Sequence, residues 1–135
     1  MDLEAEGKSL TKAQLVRVHE AKTAALLTSS LRLGAMVANA SPAKLDALTD
    51  FGRNLGLAFQ IIDDILDVTQ PTEKLGKTAG KDAAAEKATY PAIVGLATSV
   101  KEAQRLTTRA LNALKPFGRK AHRLDQTVGT QVFQL

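Results

Sequence analysis

LTDFGRNLGLAFQIIDDILDV, residues 48–68, is the stretch that decides the fold. At about 100° per residue, Arg53, Gly56, Gln60, Asp63, Asp64 and Asp67 share one stripe roughly a third of the circumference wide. Leu48, Phe51, Leu55, Ala58, Phe59, Ile61, Ile62, Ile65, Leu66 and Val68 cover most of the remainder. A helix that is apolar on nearly every side is a buried one. The chain is therefore expected to be all-α, with this helix at its centre. The polar stripe must face a partner, a metal or an internal cavity.

The limits of that helix are written on either side of it. Ser41 can accept from the first free N–H groups, Pro42 suits the first helical position, and Gln70-Pro71 stops the run. Upstream, helical spacing extends over residues 11–40. Downstream, residues 72–81 read as a loop, with Gly76 and Gly80 among three lysines, and residues 83–88 as a short helix. Tyr90-Pro91 opens another short helix. Ser99 with Glu102 resembles a capping box for a helix running to Leu114, which Pro116 and Gly118 end. After Arg123 the periodicity fades, and a loosely held tail is expected. No strand pattern or internal repeat occurs.

Composition narrows the function. The 135 residues make one domain or part of one. Hydrophobic residues form 44% and charged residues 24%, a globular balance; aromatics form only 4%, so the core is aliphatic. Net charge is +4 and the pI about 9.5. The basic residues are scattered, and the one cluster, Lys115, Arg119, Lys120 and Arg123, has only Phe117 as a stacking group. Nucleic-acid binding is not expected. The absence of cysteine excludes disulfides, zinc-thiolate sites and a thiol nucleophile. Residues 1–7 carry no leader pattern, and no apolar run approaches the roughly 20 residues that span a bilayer, so the expected location is cytoplasmic.

The aspartates sit in the last two turns of their helix, where the dipole is negative and each carboxylate is disfavoured by about 0.3–1 kcal/mol. Asp63 and Asp67 are also like charges four apart. Two readings stand. In one, hard divalent cations reverse the penalty, and magnesium bridges the carboxylates to a phosphate. In the other, the cluster is a solvated face neutralised by Lys74, Lys77 and Lys81. Lys22 shares a helical row with Leu15, Val18, Leu26 and Leu33; it either meets an anion among apolar neighbours or snorkels to water. His19 and His122 have no partner pattern and read as surface residues. Gly52 and Gly56 read as a close-packing face, Tyr90-Pro91 as structural, and Met36 and Phe59 as core.

The run Gly56-Leu57-Ala58-Phe59-Gln60-Ile61-Ile62-Asp63-Asp64-Ile65-Leu66-Asp67 resembles the second aspartate-rich motif of the trans-isoprenyl diphosphate synthases, the polyprenyl synthetase family of farnesyl and geranylgeranyl diphosphate synthases. Leu75-Gly76-Lys77, Gly80-Lys81-Asp82 and Lys87-Ala88-Thr89-Tyr90-Pro91 follow at the family's distances. Lys22-Thr23 is similar to its K-T pair, and Asp2-Leu3 with Glu6-Gly7 to the stretch after its G-Q dipeptide. The resemblance implies an all-α, magnesium-dependent transferase of isoprenoid biosynthesis. Such an enzyme joins an allylic diphosphate to isopentenyl diphosphate head to tail. It implies that Asp63, Asp64 and Asp67 hold magnesium, and that Lys77, Lys87 and Lys22, with Lys81 in the same loop, bind diphosphate. Gln60 and the Thr23 carbonyl would face the allylic cation.

Residues 1–114 carry the resemblance, as the C-terminal half of the synthase domain, and residues 115–135 form a divergent tail. A second D-D-x-x-D run does not occur: Asp2, Asp46, Asp50, Asp82 and Asp125 stand apart. With the first half of the bundle absent, exposed apolar surface, self-association as a dimer or pairing with a complete synthase, and no activity of this chain by itself are expected. A non-catalytic subunit or helical interaction module is the second reading.

Overall fold

The computed structural model describes residues 10–70 and 88–132, with side chains described to Gln126 and at Val128. Helix α1 (Lys12–His19) starts at a capping box. The Thr11 hydroxyl accepts from the Gln14 N–H, and the Gln14 side-chain oxygen accepts from the Thr11 N–H at 2.9 Å. The rod runs on through a π-turn (Glu20–Ala24) into α2 (Ala25–Val37). At its end Asn39 takes a left-handed φ of 54°, and the Ala40 N–H closes back on the Ala35 carbonyl at 2.9 Å.

The single helix expected over residues 11–40 is thus one rod with a phase break. A π-turn holds one residue more than an α-turn and rotates everything after it by about 100°. The row drawn through Leu15, Lys22, Leu26 and Leu33 does not survive that shift. Leu15 is buried, whereas Lys22, Leu26 and Leu33 are exposed. Lys22 therefore does not point among buried apolar neighbours.

The central helix α3 (Pro42–Thr69) has its expected ends: Ser41 caps it, Pro42 takes the first position, and Gln70 is extended before Pro71. It packs against α2 and the π-turn on one side and against α5 (Leu96–Ala113) on the other. Between them lies α4 (Tyr90–Val94), capped by the Thr89 hydroxyl. Gly95, at φ 87°, makes the break before α5. That break leaves no place for the capping box read at Ser99. Ser99 lies inside α5 with its hydroxyl donating to the Gly95 carbonyl at 2.7 Å, and Glu102 instead holds Arg105.

A kinked 3-10 segment (Lys115–Ala121), turned by Gly118 at φ 56°, leads to α6 (His122–Val132). The tail after Arg123 is not loose. Val128 is 1% exposed and joins Leu48, Phe51, Ala110, Leu114 and Ala121 in one core cluster, with Leu124 packed against it. A second cluster gathers Leu15, Ala58, Ile61, Ile62, Ile65, Tyr90, Ala103 and Leu106 around the other end of α3. Both cores are aliphatic apart from Phe51 and Tyr90, as the composition implied, and no strand occurs among the described residues. Met36 and Phe59, read as core, are 48% and 43% exposed. Leu26, Leu33 and Val37 are exposed as well, so large apolar side chains are left uncovered, as expected. No described helix is long and apolar enough to cross a membrane.

Candidate functional site

The site begins where two helices nearly touch. A Cβ added at Gly56 would lie 2.4 Å from the Ala24 Cα, and one at Gly52 would lie 2.8 Å from the Thr28 hydroxyl. The glycine pair is a close-packing face, as its spacing suggested. This approach presses the π-turn onto α3. One turn beyond Gly56, the Thr23 hydroxyl donates to Gln60 Oε1 at 3.1 Å, with Gln60 buried. Two of the residues chosen from sequence, Thr23 and Gln60, are therefore in contact across 37 residues of chain. Lys22, the third, sits on the exposed side of the same π-turn. Arg53 is held by Glu20, the first residue of that turn, at 3.1 Å.

Towards the C-terminal end of α3 the three aspartates part company. Asp63 and Asp67, one turn apart, are both exposed and share the flank that carries Gln60. Asp64 points about 100° away from Asp63. Asp64 is 1% exposed, and its carboxylate accepts the Tyr90 N–H at 2.9 Å and lies 3.5 Å from His19 Nε2. His19, read as a surface residue, is 5% exposed. Its position four residues after the buried Leu15, before the π-turn shifts the phase, is the signal that could have placed it inside. His122 is exposed as expected.

Lys77, Lys81 and Lys87 lie outside the described residues, as do the expected loop at 72–81, nearly all of the short helix read at 83–88, and Asp2 to Gly7. Asp63 and Asp67, the two exposed carboxylates of the three, are of a kind that suits magnesium. The ion is commonly held by one or two carboxylates, retains several waters and takes further oxygens from a phosphate. Among the described residues no cluster of three or more His, Cys, Asp or Glu side chains forms a complete cage. An ion here would need oxygens from elsewhere, which a diphosphate supplies.

On another side of α3, one that includes neither Asp63 nor Asp67, α1, α3 and α5 enclose a charged groove of about 310 Å³ lined by Lys12, Arg53, Glu102, Arg105 and Arg109, among others. Arg105 grips Glu102 through two hydrogen bonds at 2.8 and 2.6 Å. That grip, helped by the fields of Lys12 and Arg109, lowers the Glu102 carboxyl below its usual range. Lys12 also stands over the Tyr90 ring, 5.8 Å from its centre.

Comparison with known proteins adds a family. Residues 1–125 match the model of the polyprenyl synthetases, a match that runs past residue 114 into the tail. A dimethylallyltranstransferase of Fischerella ambigua (strain UTEX 1903) is 46% identical over 121 residues, which is 89% of this chain and 35% of that protein. A solved structure from Marinomonas sp. MED121, provisionally named a farnesyl-diphosphate synthase, superposes with a TM-score of 0.81 at 32% identity, covering 97% of this chain and 43% of its own. The geranyltransferase of Helicobacter pylori, solved with magnesium and isoprenyl diphosphate, gives 0.73 at 34% identity, covering 98% and 43%. The chain thus spans less than half the length of each of these relatives.

Proposed function

The chain belongs to the polyprenyl synthetase family, and on that premise we propose that it supplies one half of a magnesium-dependent prenyltransferase site. The reaction would join an allylic diphosphate to isopentenyl diphosphate. The observation that carries this reading is the Thr23–Gln60 contact, which sets a polar pair one turn from Asp63 on the same flank of α3.

The residues divide the work by charge. Asp63 and Asp67 face solvent at a helix end where carboxylates are unfavourable without a cation. A magnesium held there would neutralise the leaving diphosphate. Lys22, on the exposed side of the π-turn, would meet the same anion, as would Lys77, Lys81 and Lys87. Gln60 and the Thr23 carbonyl would offer fixed dipoles to the positive charge left on the allylic carbon. A carbocation is stabilised by such dipoles without a nucleophile to trap it. The close approach at Gly56 would bring these dipoles to the aspartate flank.

The test is a chimera in which this chain replaces the matching segment of the Helicobacter pylori geranyltransferase. Magnesium-dependent condensation is expected, with Asp63→Ala and Asp67→Ala each lowering kcat by about 10²-fold. Full activity in the double variant contradicts the assignment. The 135-residue chain by itself, which contains a single D-D-x-x-D run, should condense nothing. Product formed by the purified chain would overturn that part of the reading.

A further inference from the structure

We infer that Asp64 is a positioning residue and not a magnesium ligand: with His19 and the Tyr90 N–H it ties together the three elements that set the site. The inference rests on the magnesium reading for Asp63 and Asp67, and goes beyond it. Asp64 is 1% exposed and His19 5%, so both belong to the interior on the side of α3 covered by α1 and α4. Oδ2 accepts from the Tyr90 N–H at 2.9 Å and lies 3.5 Å from His19 Nε2. Tyr90 opens α4, so its N–H is one of the four amides at a helix start that no carbonyl of the helix can satisfy. Tyr90 is itself 1% exposed, which keeps water from replacing the carboxylate. Turning Asp64 outward to a cation would strand that buried donor, and a stranded donor is costly.

The connectivity explains why a carboxylate is built in here. His19 is the last residue of α1, and the π-turn with Lys22 and Thr23 starts immediately after it. Asp64 lies between Gln60 and Asp67 in the last turns of α3. Tyr90 is the first residue of α4. One buried side chain therefore fixes the π-turn against the aspartate flank and against α4. Asp63 and Asp67, about 40° apart around α3 and both on its exposed flank, are left to meet the cation.

The experiment uses the 135-residue chain with Mn²⁺ and inorganic diphosphate as probes. Metal affinity is read from the free-Mn²⁺ EPR signal, and stability from thermal melting. Asp63→Asn and Asp67→Asn should each weaken Mn²⁺ about tenfold or more with no fall in Tm. Asp64→Asn retains an amide oxygen for the Tyr90 N–H; it should hold Mn²⁺ within about threefold of the parent while the Tm falls by about 5 °C. Asp64→Ala should melt lower still, and the partial rescue by Asn marks the tie. His19→Gln should also lower the Tm, and the His19→Gln/Asp64→Asn double variant should lose less than the sum of the two. Asp64→Asn binding Mn²⁺ as weakly as Asp63→Asn, at the parent Tm, would overturn the inference, as would strictly additive melting losses. Unchanged Mn²⁺ affinity in both Asp63→Asn and Asp67→Asn would instead sink the magnesium reading, and the melting cycle would still decide the tie.

Discussion

Adding one methyl group at Gly56 would set a Cβ 2.4 Å from the Ala24 Cα and 2.7 Å from its Cβ. Neither atom can swing away, because both are fixed to the backbone of the π-turn. Alanine is the better helix former by about 1 kcal/mol, but overpacking of this kind costs about 1–3 kcal/mol and moves the neighbouring element. Gly56→Ala should therefore be destabilised by up to about 2 kcal/mol in urea unfolding, with the Thr23–Gln60 contact lengthened. Gly34→Ala is the matched control, since a Cβ there meets nothing within 4 Å, and it should gain up to about 1 kcal/mol. A Gly56→Ala protein as stable as that control would mean that the close approach is not what holds the π-turn on α3.

At the scale of elements, the sequence was most legible where signals were local. Ser41-Pro42 and Gln70-Pro71 define both ends of α3, and Tyr90-Pro91 marks α4, because capping and proline geometry act within a turn. The π-turn was illegible. Nothing in Glu20-Ala21-Lys22-Thr23-Ala24 distinguishes it locally, since it exists to bring Ala24 down onto Gly56, a contact between elements 32 positions apart in the chain. From that single phase error came the misplacement of Lys22, whose row was drawn as if the 3.6-residue period ran unbroken. His19 was missed for a related reason: the partner that buries it, Asp64, lies on another helix. The aspartate cluster was visible as a charge pattern, but the division between exposed Asp63 and Asp67 and buried Asp64 depends on which side α1 and α4 cover. The tail was misjudged in the opposite direction. Leu124 and Val128 sit four apart and close α6 over Leu114 and Ala121. Val128→Ala should cost about 1–2 kcal/mol in thermal unfolding if α6 belongs to the core. A change within about 0.5 kcal/mol, the range of surface substitutions, would return it to a loosely held tail.

For the molecule as a whole, the two faces of the α1–α2 rod differ in kind. One face meets α3 through Ala24 and Thr28; the other leaves Leu26 72%, Leu33 64% and Val37 86% exposed. An apolar surface of that sort, on a chain covering 43% of its solved relative, is what half of a larger helical assembly presents. The central claim is that the flank of α3 beside it holds a metal and a diphosphate together. Calorimetric titration of inorganic diphosphate into the 135-residue chain, with and without Mg²⁺, tests this most directly. The account predicts binding only when metal is present, weakened about tenfold or more by Asp63→Asn or Asp67→Asn. Equal binding without Mg²⁺, or a double variant that titrates like the parent, would contradict it.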